Sequence, residues 1–142
     1  MSDPSAAITC NCLAIRQAAR HVSQFYDRHL APAGLRATQF SLLFRLDRLG
    51  SMAINELAAC LVMDRTTMGR ALRPLEREGL VAIGSGRDGR TRALSVTPAG
   101  RRRLEEAAPL WRSAQRAFEA GYGPSEAADL RASLARLVAT VS

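Results

Sequence analysis

The sequence contains no lysine: all 20 of its basic residues are arginine. That absence excludes a phosphate-binding GxxxxGK[ST] loop, although "GSGRDGRTR" (84–92) is rich in glycine. That stretch also lacks the strand–loop–helix setting that a nucleotide-binding glycine loop requires. No run approaches the ~18 apolar residues that a membrane span needs. The opening "MSDPSAAITC" carries an acidic residue and no apolar stretch, so a signal peptide is not expected and the chain reads as soluble and cytoplasmic. Three cysteines, Cys10, Cys12 and Cys60, make no disulfide framework in that compartment. Internal repeats, low-complexity tracts and long linkers are also missing, and 142 residues is a one-domain length.

What is present is a basic chain of ordinary globular composition. Hydrophobic residues make up 47% and charged residues 23%, with a net charge of +7. Codon bias can make a chain arginine-only, so the location of the charge says more than its chemistry. Residues 64–103 hold ten arginines against Asp64, Glu76, Glu78 and Asp88, a net of +6. Residues 1–63 carry +2 and residues 104–142 carry −1. A basic block of this kind is the electrostatic footprint of a polyanion binder.

Hydrophobic spacing divides the chain into elements. Leu13, Val22, Phe25, Tyr26 and Leu30 follow a helical period from Ile8 to about Leu30, and Pro32 and Gly34 break it. Thr38 is read as the N-cap of a second helix to Leu49, with Phe40, Leu43, Phe44 and Leu46 as its buried side. A short helix over Ile54–Leu61 gives way to another capped by Asp64 and closed by Gly79. Residues 80–84 and 93–97 read as paired strands, with the arginine–glycine stretch as the loop between them. Thr97 and Pro98 then start a long helix to about Ala120, which Pro109 is expected to kink. A last helix runs from Pro124 or Ser125 to about Thr140.

The predicted fold is mainly α with a small β-hairpin wing (α+β): a winged helix-turn-helix flanked by N- and C-terminal dimerisation helices. The expected division is 1–37 for the N-terminal dimerisation helix, 38–100 for the DNA-binding unit and 101–142 for the C-terminal dimerisation helices. The terminal helices are too extended to wrap so small a core, so they are expected to pair with a second copy.

Thr66, Arg70, Arg73 and Arg77 fall within an arc of roughly 60° on the helix after Asp64, while Met68, Ala71, Leu72 and Leu75 share a separate arc of roughly 100°. One face packs and the other carries guanidinium groups. Arg65, Thr66 and Thr67 lie in the first turn, the end that enters the major groove in helix-turn-helix proteins. Arginine pairs bidentately with guanine, and threonine contacts phosphate or a thymine methyl. Gly69 on the polar side leaves room for a backbone to come close. In the hairpin loop, Arg87, Arg90 and Arg92 supply charge for phosphates and a narrow minor groove.

The run "INELAACLVMDRTTMGRALRPLEREGLVAIGSGRDGRTRALSVTPAG" (54–100) resembles the core of MarR-family transcriptional regulators, most specifically in "DGRTRALSVTPAG" and "LEREGLV". The resemblance implies an obligate homodimer gripping a palindromic operator in double-stranded DNA. It implies major-groove contacts from Arg65, Thr66, Thr67, Arg70 and Arg73. It also implies that Arg90, steadied by Asp88, enters the minor groove, and that a ligand or oxidation relieves repression.

Cys10 and Cys12 sit at the start of the first helix, where the dipole favours a reactive thiolate, and relatives that sense hydroperoxides carry a cysteine near there. Such sensors also hold tyrosines against the thiol; here "LRATQF" offers Ala37 and Phe40 instead, with no hydroxyl. Cys60 is read as core packing. The spacing of Cys10, Cys12, His21 and His29 matches no zinc pattern, and neither a metal nor a cofactor is expected. The other expected signal is a small aromatic or apolar effector, in a pocket between the dimer base and the winged unit lined by Phe25, Phe44, Leu110 and Trp111. An enzyme is not expected, because no base, orienting group or oxyanion hole accompanies a nucleophile. The alternative to a specific regulator is a non-specific or architectural DNA binder.

Overall fold

Cys10 caps the first helix: its Sγ accepts from the Leu13 N–H at 3.5 Å, and α1 runs from Asn11 to Leu30. The computed structural model describes residues 9–86, 89 and 92–142. A 3-10 turn (Ala31–Ala33) ends at Gly34, whose φ of 70° lies in the left-handed region. Helix α2 (Ala37–Leu49) begins one residue before the predicted cap. Its first amides are satisfied from elsewhere, which displaces Thr38 from that role. Gln39 Oε1 takes the Arg36 N–H at 2.9 Å and Asp27 Oδ1 takes the Ala37 N–H at 2.7 Å.

Helices α3 (Ile54–Cys60) and α4 (Arg65–Arg77) form the helix-turn-helix. The turn closes in a six-to-one pattern: Met63 N–H donates to Ala58 C=O at 2.9 Å and Val62 N–H to Ala59 C=O at 3.2 Å. This pattern needs a left-handed residue, usually glycine, and here it is Val62 at φ 52°, the one non-glycine with positive φ among the described residues. A β-branched side chain in that conformation costs on the order of 1–2 kcal/mol. Val62→Gly is therefore expected to raise stability by about 1 kcal/mol, after glycine's own entropy cost. Thermal melting checks it, and an unchanged midpoint would deny the strain.

Strands β2 (Val81–Ser85) and β3 (Arg92–Val96) pair antiparallel, with Val81 opposite Val96 and Ser85 opposite Arg92. A two-residue strand, β1 (Met52–Ala53), joins the other edge of β3 and gives the sheet order β1-β3-β2. Leu94 of β3 is completely buried beneath this sheet. Thr97 then caps α5 (Pro98–Tyr122), its Oγ1 accepting from the Gly100 N–H at 3.0 Å. The helix runs unbroken through Pro109, and α6 (Pro124–Thr140) follows a turn at Gly123.

The core is leucine-rich: Leu30 of α1, Leu42, Leu43 and Leu46 of α2, Leu57 of α3 and Leu75 of α4 are all at most 1% exposed. Burying such side chains is the main favourable term in folding, roughly 1.5–3 kcal/mol each. Two side chains lie outside this core, against the sequence reading. Phe44 is 42% exposed, stacked on Phe40 from outside with the Arg48 guanidinium 5.2 Å over its ring. α2 fills the interior with Leu42, Leu43 and Leu46, leaving Phe44 on the outer face. Cys60 is exposed as well, because it ends a seven-residue helix whose buried residues are Leu57 and Ala58. The architecture is the mainly α winged helix-turn-helix that the sequence predicts.

Candidate nucleic-acid interface

Helix α4 is held from behind by Met68, Leu72 and Leu75, all buried. Its opposite face is free: Arg65, Thr66, Thr67, Arg70, Arg73 and Arg77 are exposed. At its start, Asp64 Oδ1 accepts from the Thr67 N–H at 2.7 Å. That backbone hydrogen bond, followed by those from the Thr67 hydroxyl and Thr66 N–H and by the Arg70 charge, holds the Asp64 carboxyl below its usual range. A carboxyl lowered in the folded state stabilises the fold above its unfolded value, and the effect is lost as pH falls through the folded value. Asp64→Asn keeps a capping oxygen without the charge. It is expected to melt below the wild type at pH 7, with the gap narrowing as the pH falls below the ordinary carboxylate range, as a pair of melting curves against pH will show.

The wing is anchored at its base. Thr97 Oγ1 donates to Gly79 C=O at 2.6 Å and Thr97 N–H to Leu80 C=O at 3.1 Å, joining the end of α4 to the start of α5. Arg92, the first residue of β3, is exposed. Arg87, Asp88 and Arg90 lie outside the described residues. Arg101 leans on Asp47 of α2 at 3.4 Å, so part of the basic block is directed to a neighbouring helix.

Cys10 and Cys12 are both exposed at the start of α1. The expected pocket residues do not come together. Trp111 lies nearly parallel to Phe40, with ring centroids 6.1 Å apart, and both line a cavity of about 260 Å³ between α1, α2 and α5. Phe25 packs edge-on to Phe118, Phe44 is on the outer face and Leu110 packs against the core. The cavity is instead completed by Val22, Ser23, Tyr26, Ser41 and Gln115. Tyr26 Oη donates to Gln115 Oε1 across 89 residues of sequence, a juxtaposition that no local pattern announces. Burial, reinforced by the charge of Glu119 and opposed by Arg131, raises the Tyr26 phenol above its ordinary value.

A second, apolar groove of about 480 Å³ runs along α1, α5 and α6, lined by Ala14, Ile15, Ala18, Val22, Phe118 and Leu134 among others. Every residue from 11 to 20 is exposed, with Leu13 at 49% and Ile15 at 42%.

Comparison with known proteins places this geometry. The MarR family model matches residues 35–82. The chain is 39% identical to the M. tuberculosis transcriptional regulator MosR, solved in complex with DNA; 90% of this chain and 92% of MosR are covered, with a TM-score of 0.81. A probable transcriptional regulator from Pseudomonas aeruginosa is 30% identical, with 91% and 97% covered and a TM-score of 0.80. The HTH-type transcriptional regulator YwoH of Bacillus subtilis (strain 168) is 30% identical over 92 residues, 65% of this chain and 67% of YwoH.

Proposed function

The chain belongs to the MarR family of transcriptional regulators, and from that membership we propose that it acts as a homodimer, repressing from a palindromic operator until a signal releases it. Members of this family are transcriptional regulators and not enzymes. The observation that carries the reading is the face of α4: three arginines and two threonines exposed over its first nine residues, on a helix anchored by three buried apolar side chains. The related MosR–DNA complex supports it. In this reading Arg65, Thr66, Thr67, Arg70 and Arg73 enter the major groove. Arg92 and the wing residues Arg87 and Arg90, the latter steadied by Asp88, reach the adjacent minor groove. Residues 38–100 serve as the DNA-binding unit, and 1–37 with 101–142 as the dimer base.

Gel-shift titration on the DNA flanking the gene tests this. Arg70→Ala is expected to weaken operator binding by about 10- to 100-fold, the value of a bidentate base contact. Arg90→Ala is expected to weaken it with the dimer intact. One protected palindrome supports the operator reading. Salt-dependent affinity that is equal on all sequences would make the protein an architectural binder.

For the signal, the cavity under Trp111 suits a small aromatic or apolar effector, since a planar ring there would extend the Phe40–Trp111 stack. Exposure of Cys10 and Cys12 favours the second route, in which a hydroperoxide oxidises one thiol to sulfenic acid and is itself reduced. Titrations with aromatic acids, peroxide and reductant separate the two, and Cys12→Ser retaining release by peroxide removes Cys12 from the sensor.

A further inference from the structure

Gly69 lies in the interior of α4, where glycine costs roughly 1 kcal/mol relative to alanine. Interior helical glycines are commonly explained by a neighbour that leaves no room for a side chain, but a methyl group at Gly69 would meet no atom within 4 Å beyond the helix's own backbone and adjacent residues. Nothing within the chain therefore requires it. On the helical wheel Gly69 sits about 40° from Arg73 and about 40° from Arg65, in the row that joins them at four-residue spacing. The row Arg65–Gly69–Arg73 is a ridge with a notch in its middle and an exposed guanidinium on each side. The notch lies about 60–100° from Thr66 and Arg70, so when those residues face the floor of a groove, Gly69 faces its wall.

We propose that Gly69 is a DNA-contact position, at which the deoxyribose–phosphate backbone of one strand crosses α4 in direct contact with the helix backbone while Arg65 and Arg73 hold phosphates on either side. The proposal rests on α4 being the recognition helix. It adds a steric element to that reading: the missing side chain sets how deeply the helix seats, at the expense of helix stability in the free protein. A wall contact carries no sequence information, whereas a floor contact does.

The test is Gly69→Ala, with Gly69→Leu as a larger obstruction, each measured for melting temperature and for affinity on two duplexes. One duplex is selected from a random library by the wild-type protein, and the other is a scrambled version of it. Gly69→Ala is expected to melt about 3 °C higher, so that weaker binding cannot come from poorer folding. It is expected to lose roughly tenfold in affinity on both duplexes alike, and Gly69→Leu to lose more. Unchanged or improved affinity for Gly69→Ala overturns the proposal. A loss confined to the selected duplex also overturns the backbone assignment and places a base edge at the notch. If the wild-type protein selects no duplex, or Arg70→Ala binds as the wild type does, the recognition-helix reading has failed rather than the role of Gly69.

Discussion

Gly100→Ala is expected to destabilise the protein by about 3 kcal/mol and to lower its melting temperature by about 10 °C. Gly100 is buried in the first turn of α5, against the start of β2. A Cβ there would overlap the Leu80 carbonyl oxygen and stand 2.7 Å from Val96 Cγ1. The Leu80 oxygen cannot retreat, because it accepts from the Thr97 N–H, and Thr97 also caps α5 and binds Gly79 C=O. The whole corner between recognition helix, wing and long helix would have to open. Calorimetry against the wild type reads the loss, and a midpoint within a degree of wild type would mean that α5 does not start against the strand. The same chemical change thus has opposite expected signs at Gly69 and Gly100, decided by what stands opposite each.

Leu134→Asp is expected to convert a dimer into monomers and to reduce operator affinity by about 100-fold or more, because two linked half-site contacts become independent ones. Leu134 is 43% exposed on α6 and lines the apolar groove along α1 and α5. An apolar surface of this extent, beside an α1 whose first ten residues are all exposed, needs a covering in water. In the proposed homodimer a second copy would supply it, and an ionised carboxylate in that seam would be costly to desolvate. Sedimentation analysis of wild type and variant decides: a wild-type monomer, or a Leu134→Asp dimer of unchanged strength, would sink the assignment of this groove.

Much of this was legible in the sequence, where local chemistry decides the outcome. Asp64 and Thr97 are caps because a side-chain oxygen next to a helix start has few other tasks, and both accept as expected. Met68, Leu72 and Leu75 announce the packed side of α4 by spacing alone. What stayed hidden depends on distant partners. Thr38 was displaced as a cap by Asp27, ten positions before Ala37. Phe44 was read as core because hydrophobicity cannot tell which of the six large apolar residues in one helix meet the wall. β1 is two residues long and exists only because β3 has a free edge at Leu94. The cavity residues Tyr26 and Gln115 meet through tertiary packing, so only Trp111 of the expected pocket lines it.

The Thr97 hydroxyl, shared between Gly79 C=O and Gly100 N–H, makes the end of the recognition helix and the beginning of α5 a single mechanical piece. Helix α5 has 25 residues and is therefore about 37 Å long, with Trp111 and Gln115 past its midpoint. In the proposed dimer it would serve as a lever arm. A pivot of about 5° at its far end carries the end fixed to α4 through roughly 3 Å, close to the ~3.4 Å between successive base pairs. Two such arms in a dimer would alter the span between recognition helices by more than one base step, enough to take them out of phase with a fixed pair of half-sites.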